Sequence, residues 1–151
     1  MEIEQALFSD LPEISVLQKL AFYDVGVYYR NFKLRPFLTS LEDFEKSFLE
    51  YLYLKATVGD RIVGSARAKM NNDKCKVENI IVHPAHQRKG IGKLLVTEIM
   101  NLLPEAQVFE LFTGKKTTGN VAFYEGLGFS IVREVAETET EPVLVYMEKW
   151  R

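Results

Sequence analysis

Residues 77–95 read Val77-Glu78-Asn79-Ile80-Ile81-Val82-His83-Pro84-Ala85-His86-Gln87-Arg88-Lys89-Gly90-Ile91-Gly92-Lys93-Leu94-Leu95, and this stretch decides the fold. Val77, Ile80, Ile81 and Val82 form an apolar run that stops at Pro84, which has no N–H to give a neighbouring strand. Residues 74–83 therefore read as a central strand with a defined end. After a short loop, Ile91, Leu94, Leu95, Ile99, Leu102 and Leu103 recur at helical spacing until Pro104. The order is strand, glycine loop, helix.

The loop carries the chemistry. A helix start leaves N–H groups unpaired and holds the positive end of the peptide dipoles, while glycine lets an anion come close to the backbone. Arg88, Lys89 and Lys93 add positive charge where a helix by itself prefers Asp or Glu. That placement works against the helix and suits a polyanion. A glycine pair alone also fits an ordinary turn, so the spacing has to discriminate. A nucleotide-triphosphate loop needs glycine five residues before Gly92-Lys93 and Ser or Thr after them, where Gln87 and Leu94 stand. A dinucleotide loop needs a third glycine at the position of Leu95.

Upstream, residues 3–7 are short and apolar-alternating. Asp10-Leu11-Pro12-Glu13 then reads as a helix start, with Asp10 as N-cap and Pro12 in the first turn. Ile14, Leu17, Gln18, Leu20 and Ala21 continue that helix, which is expected to end near Asp24-Val25-Gly26. Tyr28, Tyr29, Phe32, Pro36 and Phe37 follow as an irregular aromatic connector. Thr39 or Ser40 caps a second helix carrying Leu41, Phe44, Phe48 and Leu49. Gly59-Asp60 turns a hairpin between residues 51–58 and 61–70, and Asn71-Asn72-Asp73 makes the next turn. Downstream come a strand at 108–113, a short helix at 117–126, and strands at 129–135 and 142–147. Alternating helices and strands predict a mixed α/β sheet covered on both faces. The acidic residues 134–141 read as a solvated loop.

Size and charge bound the function. The 151 residues are about one domain, and with no repeat or linker the whole of 1–151 reads as a single domain. A net charge of -2 gives no overall basic field for nucleic acid or an anionic membrane. The single cysteine, Cys75, rules out an internal disulfide and fits a reducing compartment. The acidic start Met1-Glu2-Ile3-Glu4-Gln5 lacks the basic opening and apolar segment of a secretory signal. No apolar run approaches the roughly 20 residues of a membrane span. The cytoplasm is the expected compartment.

At this point the chain resembles the GNAT superfamily of N-acetyltransferases. Gln87, Gly90 and Gly92 match the family's Gln/Arg-x-x-Gly-x-Gly/Ala loop, and Ile80-Ile81-Val82-His83-Pro84 looks like the strand and proline before it. Asn120-Val121-Ala122-Phe123-Tyr124-Glu125-Gly126-Leu127-Gly128-Phe129 is similar to the family's Asn-x-x-x-Tyr-x-x-x-Gly-Phe segment. Two motifs in the right order, firm over residues 77–132, are far more specific than either alone.

The resemblance implies an α/β (α+β) fold with a V-splayed mixed sheet of about seven strands, helices on both faces, and acetyl-CoA as acetyl donor. Its pantetheine arm would lie between strands 74–83 and 108–113, hydrogen-bonded by backbone near Ile80, Ile81 and Val82. Gln87, Arg88, Lys89, Gly90, Ile91, Gly92 and Lys93 would hold the pyrophosphate, with Asn120 and Phe123 on the cofactor side of the later helix. The implied reaction is direct attack on the thioester by a neutral amine, of a small molecule or of a peptide or protein, without a metal. A homodimer stays open.

Tyr124 matches the family's tyrosine near the sulfur and would act as general acid; the alternative is a packed tyrosine. Asn120, four residues earlier, shares its helix face. Many family members use an Asn seven residues before this Tyr, where the chain has Thr117. Glu78 shares a face with Ile80 and Val82 by the two-residue period and would take the amine's proton through water; an ion-paired carboxylate at the strand is the alternative. His83 and His86 read as loop residues, Cys75 as a core residue, and Lys115 and Lys116 as solvated cations. Tyr23, Tyr28, Tyr29, Phe32 and Phe37 either wall the acceptor site or fill the core. The rival function is an acyl-CoA-binding module that has lost catalysis.

Overall fold

The computed structural model describes residues 1–116, 119–136 and 143–151. Seven strands form one mixed sheet in the order β1-β2-β3-β4-β5-β7-β6. They are β1 (Glu2–Gln5), β2 (Leu52–Val58), β3 (Arg61–Asn71), β4 (Lys74–Val82), β5 (Val108–Gly114), β6 (Ser130–Val135) and β7 (Leu144–Trp150). The helices are α1 (Leu11–Tyr29), α2 (Arg35–Leu38), α3 (Leu41–Phe48), α4 (Ile91–Leu102) and α5 (Asn120–Gly126). The seven-strand α/β expectation stands. No described helix is long and apolar enough to cross a membrane.

The chain forms two compact units, Met1–Lys69 with Asn79–Leu102, and Met70–Glu78 with Leu103–Arg151. The division falls inside β4 at Asn79, whose φ of 52° is left-handed, a conformation that Asn tolerates better than most residues. The strand continues through that residue to Val82.

In the first unit, Leu11, Ile14 and Leu17 of α1 pack with Phe44, Tyr53, Ile62 and Ile81. Each fully buried aliphatic chain of this kind contributes about 1.5–3 kcal/mol. Leu54 and Ala56 alternate with Tyr53 along β2, and α4, which buries Ile91, Leu95 and Ile99, packs against β1 and β2.

The helix starts follow their chemistry unevenly. Ser40 caps α3 as expected, its Oγ accepting from Asp43 N at 3.1 Å while Asp43 Oδ2 accepts from Ser40 N at 3.0 Å. Asp10 does not cap α1 with its side chain. Its carboxylate accepts instead from Leu7 N and from Lys55 Nζ, each at 2.7 Å. These bonds hold its pKa low against the opposing effect of burial, the largest single influence on it.

Helix α1 does not stop near Gly26. It runs to Tyr29 and ends on Arg30 in the left-handed conformation, and part of the connector forms α2. Packing explains the glycine: a Cβ on Gly26 would come within 2.5 Å of Phe32 Cε1 and 2.9 Å of Phe37 Cζ. Gly26 makes room for rings and does not end the helix.

In the second unit, β7 pairs antiparallel with β5 over all seven residues of each strand and with β6. Cys75, Val77, Phe109, Leu111, Phe129, Val145 and Met147 are buried. The parallel ladder between β4 and β5 joins Lys74–Val108, Cys75–Phe109 and Lys76–Glu110, while the strands themselves run on past these pairs.

Candidate functional site

In the first unit, β4 delivers the chain into the loop through two fixed contacts. His83 N donates to Val63 O at 2.8 Å, and Gln87 Nε2 donates to Val82 O at 3.1 Å. His83 Nδ1 accepts from Ala85 N at 3.0 Å, which makes this histidine part of the turn at Pro84–His86. Ile81 lies in the core, whereas Ile80 and Val82 are half-buried.

Arg88 and Gly90 then take φ values of 63° and 83°. Nothing lies within 4 Å of where a Gly90 Cβ would be, so backbone conformation and not crowding demands glycine there. Gly90 O accepts from Leu94 N at 3.0 Å, which makes Gly90 the cap residue of α4. With no side chain it cannot satisfy the first-turn N–H groups. Gly92 is buried in that turn, while Arg88, Lys89 and Lys93 are exposed and in no ion pair among the described residues. First-turn amides that Gly90 cannot cap and three exposed cations at one helix start make a positive local field.

In the second unit, α5 begins at Asn120 after Gly119, whose φ is 83°. Asn120 Nδ2 donates to Thr113 Oγ1 at 3.3 Å, tying the helix start to the end of β5. One turn on, Tyr124 is buried between Phe123 and Phe129, with ring centroids 5.1 and 6.2 Å away. Burial pushes its phenol up to about 12, so the group stays protonated across the physiological range. Phe123 is partly exposed.

The rest of the motif supports this helix. Gly128 has φ 99°, and its missing Cβ leaves room for Lys149, whose Nζ donates to Leu127 O at 2.6 Å. Phe129 N donates to Tyr124 O at 3.0 Å. Thr117 lies outside the described residues.

Glu78 lines a small cleft of about 50 Å³ with Lys76, Val77, Glu110, Leu111, Phe112 and Tyr146. The cleft sits where the β4–β5 ladder stops, at Lys76 and Glu110. Glu110, Phe112 and Tyr146 were not singled out from sequence. Glu110 is only 7% exposed; Lys74 Nζ bridges it at 3.3 Å and Glu148 at 2.7 Å. The hydrogen bond to Glu148 is the main cause raising the Lys74 pKa. Glu110 and Glu148 face each other across β5 and β7, as do Phe112 and Tyr146, whose rings lie 5.6 Å apart. The alternation of Glu110 and Phe112 was readable; the register that brings them to one cleft was not.

A model of the acetyltransferase (GNAT) family matches residues 15–129. The [ribosomal protein bS18]-alanine N-acetyltransferase of Salmonella typhimurium is 32% identical over 93 residues, covering 57% of this chain and 63% of that protein. Glucosamine 6-phosphate N-acetyltransferase of Schizosaccharomyces pombe is 41% identical over 54 residues, covering 36% of this chain and 48% of that protein. The matched region thus spans less than two thirds of the length of either relative. Among solved structures, PaiA N-acetyltransferase from Thermoplasma acidophilum, in complex with coenzyme A, aligns over 100% of both chains with a TM-score of 0.82 and 17% identity. That likeness carries the fold.

Proposed function

The chain belongs to the acetyltransferase (GNAT) family, and from that premise we propose that it is an N-acetyltransferase, one domain over residues 1–151, moving the acetyl group of acetyl-CoA to a primary amine. The observation that carries this reading is the start of α4, where a capless glycine turn and Arg88, Lys89 and Lys93 favour a diphosphate. Gln87, Gly90, Ile91 and Gly92 shape that turn, with backbone of Ile80, Ile81 and Val82 offered to the pantetheine arm. Asn120 and Phe123 serve the cofactor side of α5.

In the reaction the amine nitrogen attacks the thioester carbonyl, the C–S bond breaks as the adduct collapses, and the nitrogen's proton ends on sulfur. Glu78, or water beside it, accepts that proton first. Tyr124 donates a hydrogen bond to the departing sulfur. A phenol near 12 facing a thiolate with a pKa of about 8.5 would lose its proton uphill by roughly 5 kcal/mol, so a held hydrogen bond suits it better than full transfer. Its high pKa keeps the donor in place at every working pH.

The two relatives' names cite an alanine of a ribosomal protein and glucosamine 6-phosphate, which share an amino group. A primary amine is therefore the acceptor class, and acetyl-CoA supply points to the cytoplasm. Thiol release from acetyl-CoA is measured with a panel that includes an alanine-terminated peptide and glucosamine 6-phosphate. Release with an amine and not without supports the transferase. Binding of acetyl-CoA with no release on any amine leaves an acyl-CoA-binding module instead.

A further inference from the structure

Helix α1 is apolar on two sides. Leu11, Ile14 and Leu17 occupy the covered side, whereas Val16 (60% exposed), Leu20 (45%), Tyr23 (57%) and Val27 (51%) line the other. Their spacings of four, three and four residues follow the 3.5-residue repeat of a two-helix seam. Scattered exposed apolar residues are ordinary; a continuous stripe along three turns is not. A helix that is hydrophobic all round is normally covered all round. Among the described residues, only Phe32 reaches this stripe by a ring contact, its centroid 5.5 Å from that of Tyr23.

We infer that this side of α1 packs against α1 of a second copy of the chain, parallel to it and related by a two-fold axis. Charge selects both the partner and the direction. With Val16, Leu20, Tyr23 and Val27 in the seam, Lys19 and Asp24 fall on its two flanks, five residues apart. Both are exposed, and neither is in an ion pair among the described residues. In a parallel pair opposite flanks meet, so Lys19 of each copy faces Asp24 of the other, and symmetry makes two such pairs. In an antiparallel pair like flanks meet, and this match is lost.

The seam ends on its N-terminal side at Glu13, the next position of the repeat, whose carboxylate accepts from Ile62 N at 2.7 Å. From Val16 to Val27 it is about 17 Å long. Such a strip is smaller than the roughly 800 Å² per partner of a standard interface, so the dimer dissociates with a constant on the order of 1–100 µM.

Sedimentation velocity of the full chain from about 5 to 500 µM tests this. The wild-type chain shifts from monomer to dimer across that range, and Leu20→Glu stays monomeric with an unchanged circular-dichroism spectrum. Lys19→Asp alone and Asp24→Lys alone each weaken association several-fold, and an equimolar mixture of the two restores it by placing opposite charges on both flanks. These charge variants leave the seam and the core untouched, so the proposal is decided even if Leu20→Glu fails to fold. It is overturned by a wild-type chain that is monomeric at the highest concentration, by a dimer indifferent to Leu20→Glu, or by a mixture that associates no better than its components.

Discussion

A Cβ placed on Gly64 of β3 would lie 2.9 Å from Ile91 Cγ2, at the first residue of α4. The strand and the helix start therefore meet through the absence of a side chain. The same Cβ would lie 3.3 Å from Ile81 O, a backbone atom that cannot swing away. The start of α4 is thus crowded against a glycine some 25 residues before it in sequence, close in space because β3 lies next to β4.

Gly64→Ala should cost about 1–3 kcal/mol of stability through overpacking, and should weaken acetyl-CoA binding by moving the start of α4. Chemical denaturation and calorimetric titration measure the two effects separately. Wild-type affinity in the variant would mean that the helix start is positioned by something other than this contact.

Replacing Arg88, Lys89 and Lys93 together by Ala should leave the fold intact, since all three side chains are exposed. Saturating acetyl-CoA should stabilise the wild-type chain by about 2.7 kcal/mol at 100 times the dissociation constant, and the triple variant far less at the same concentration. The wild-type response should also shrink as salt rises. An equal thermal shift in both proteins would detach the cations from the cofactor.

Tyr124→Phe, which removes a hydrogen-bond donor aimed at the developing thiolate, should lower turnover about 10²-fold while sparing acetyl-CoA affinity. The raised phenol pKa adds a second readout. The folded group titrates at about 12 against an ordinary value of 10.0, so the folded chain holds this proton more tightly than the unfolded one. Its contribution is complete below pH 10 and is lost as pH rises towards 12, by roughly 3 kcal/mol. The difference in stability between wild type and Tyr124→Phe should therefore change over that interval and stay flat from pH 6 to 9. A constant difference throughout would contradict a buried, protonated Tyr124.

Lys74→Met should leave Glu110 and Glu148 facing each other across β5 and β7 without the ammonium that bridges them. Because Lys74 is partly exposed, the cost should be about 1–3 kcal/mol, below that of breaking a fully buried pair. Lys74→Arg, which keeps the positive charge, should lose less. Urea melts of the two variants side by side read this directly, and equal losses would remove the electrostatic explanation.

Several of these residues separate what local pattern reveals from what it hides. The run from Val77 to Leu95 was legible because its signals are short-range: a proline that ends a ladder, a glycine with positive φ, and apolar residues at helical spacing. Ser40 was legible as a cap for the same reason. Gly26 misled because glycine also serves packing: its neighbours Phe32 and Phe37 approach from later in the chain, and only their rings reveal why no Cβ fits. Asp10 sat at a helix start but answered to Lys55 of β2, 45 residues on.

The sequence by itself determined the order of helices and strands apart from α2, the charge and conformation of the turn before α4, and the two motifs that mark the family. Each is written in residues only a few positions apart, where backbone sterics and hydrogen bonding act directly. The tertiary structure alone decided that the β4–β5 ladder stops at Lys76 and Glu110, that Glu110, Phe112 and Tyr146 share a cleft with Glu78, and that one side of α1 is left uncovered among the described residues. Those outcomes depend on strand register and on which surfaces meet, and such pairings between distant residues leave no period in the chain to read.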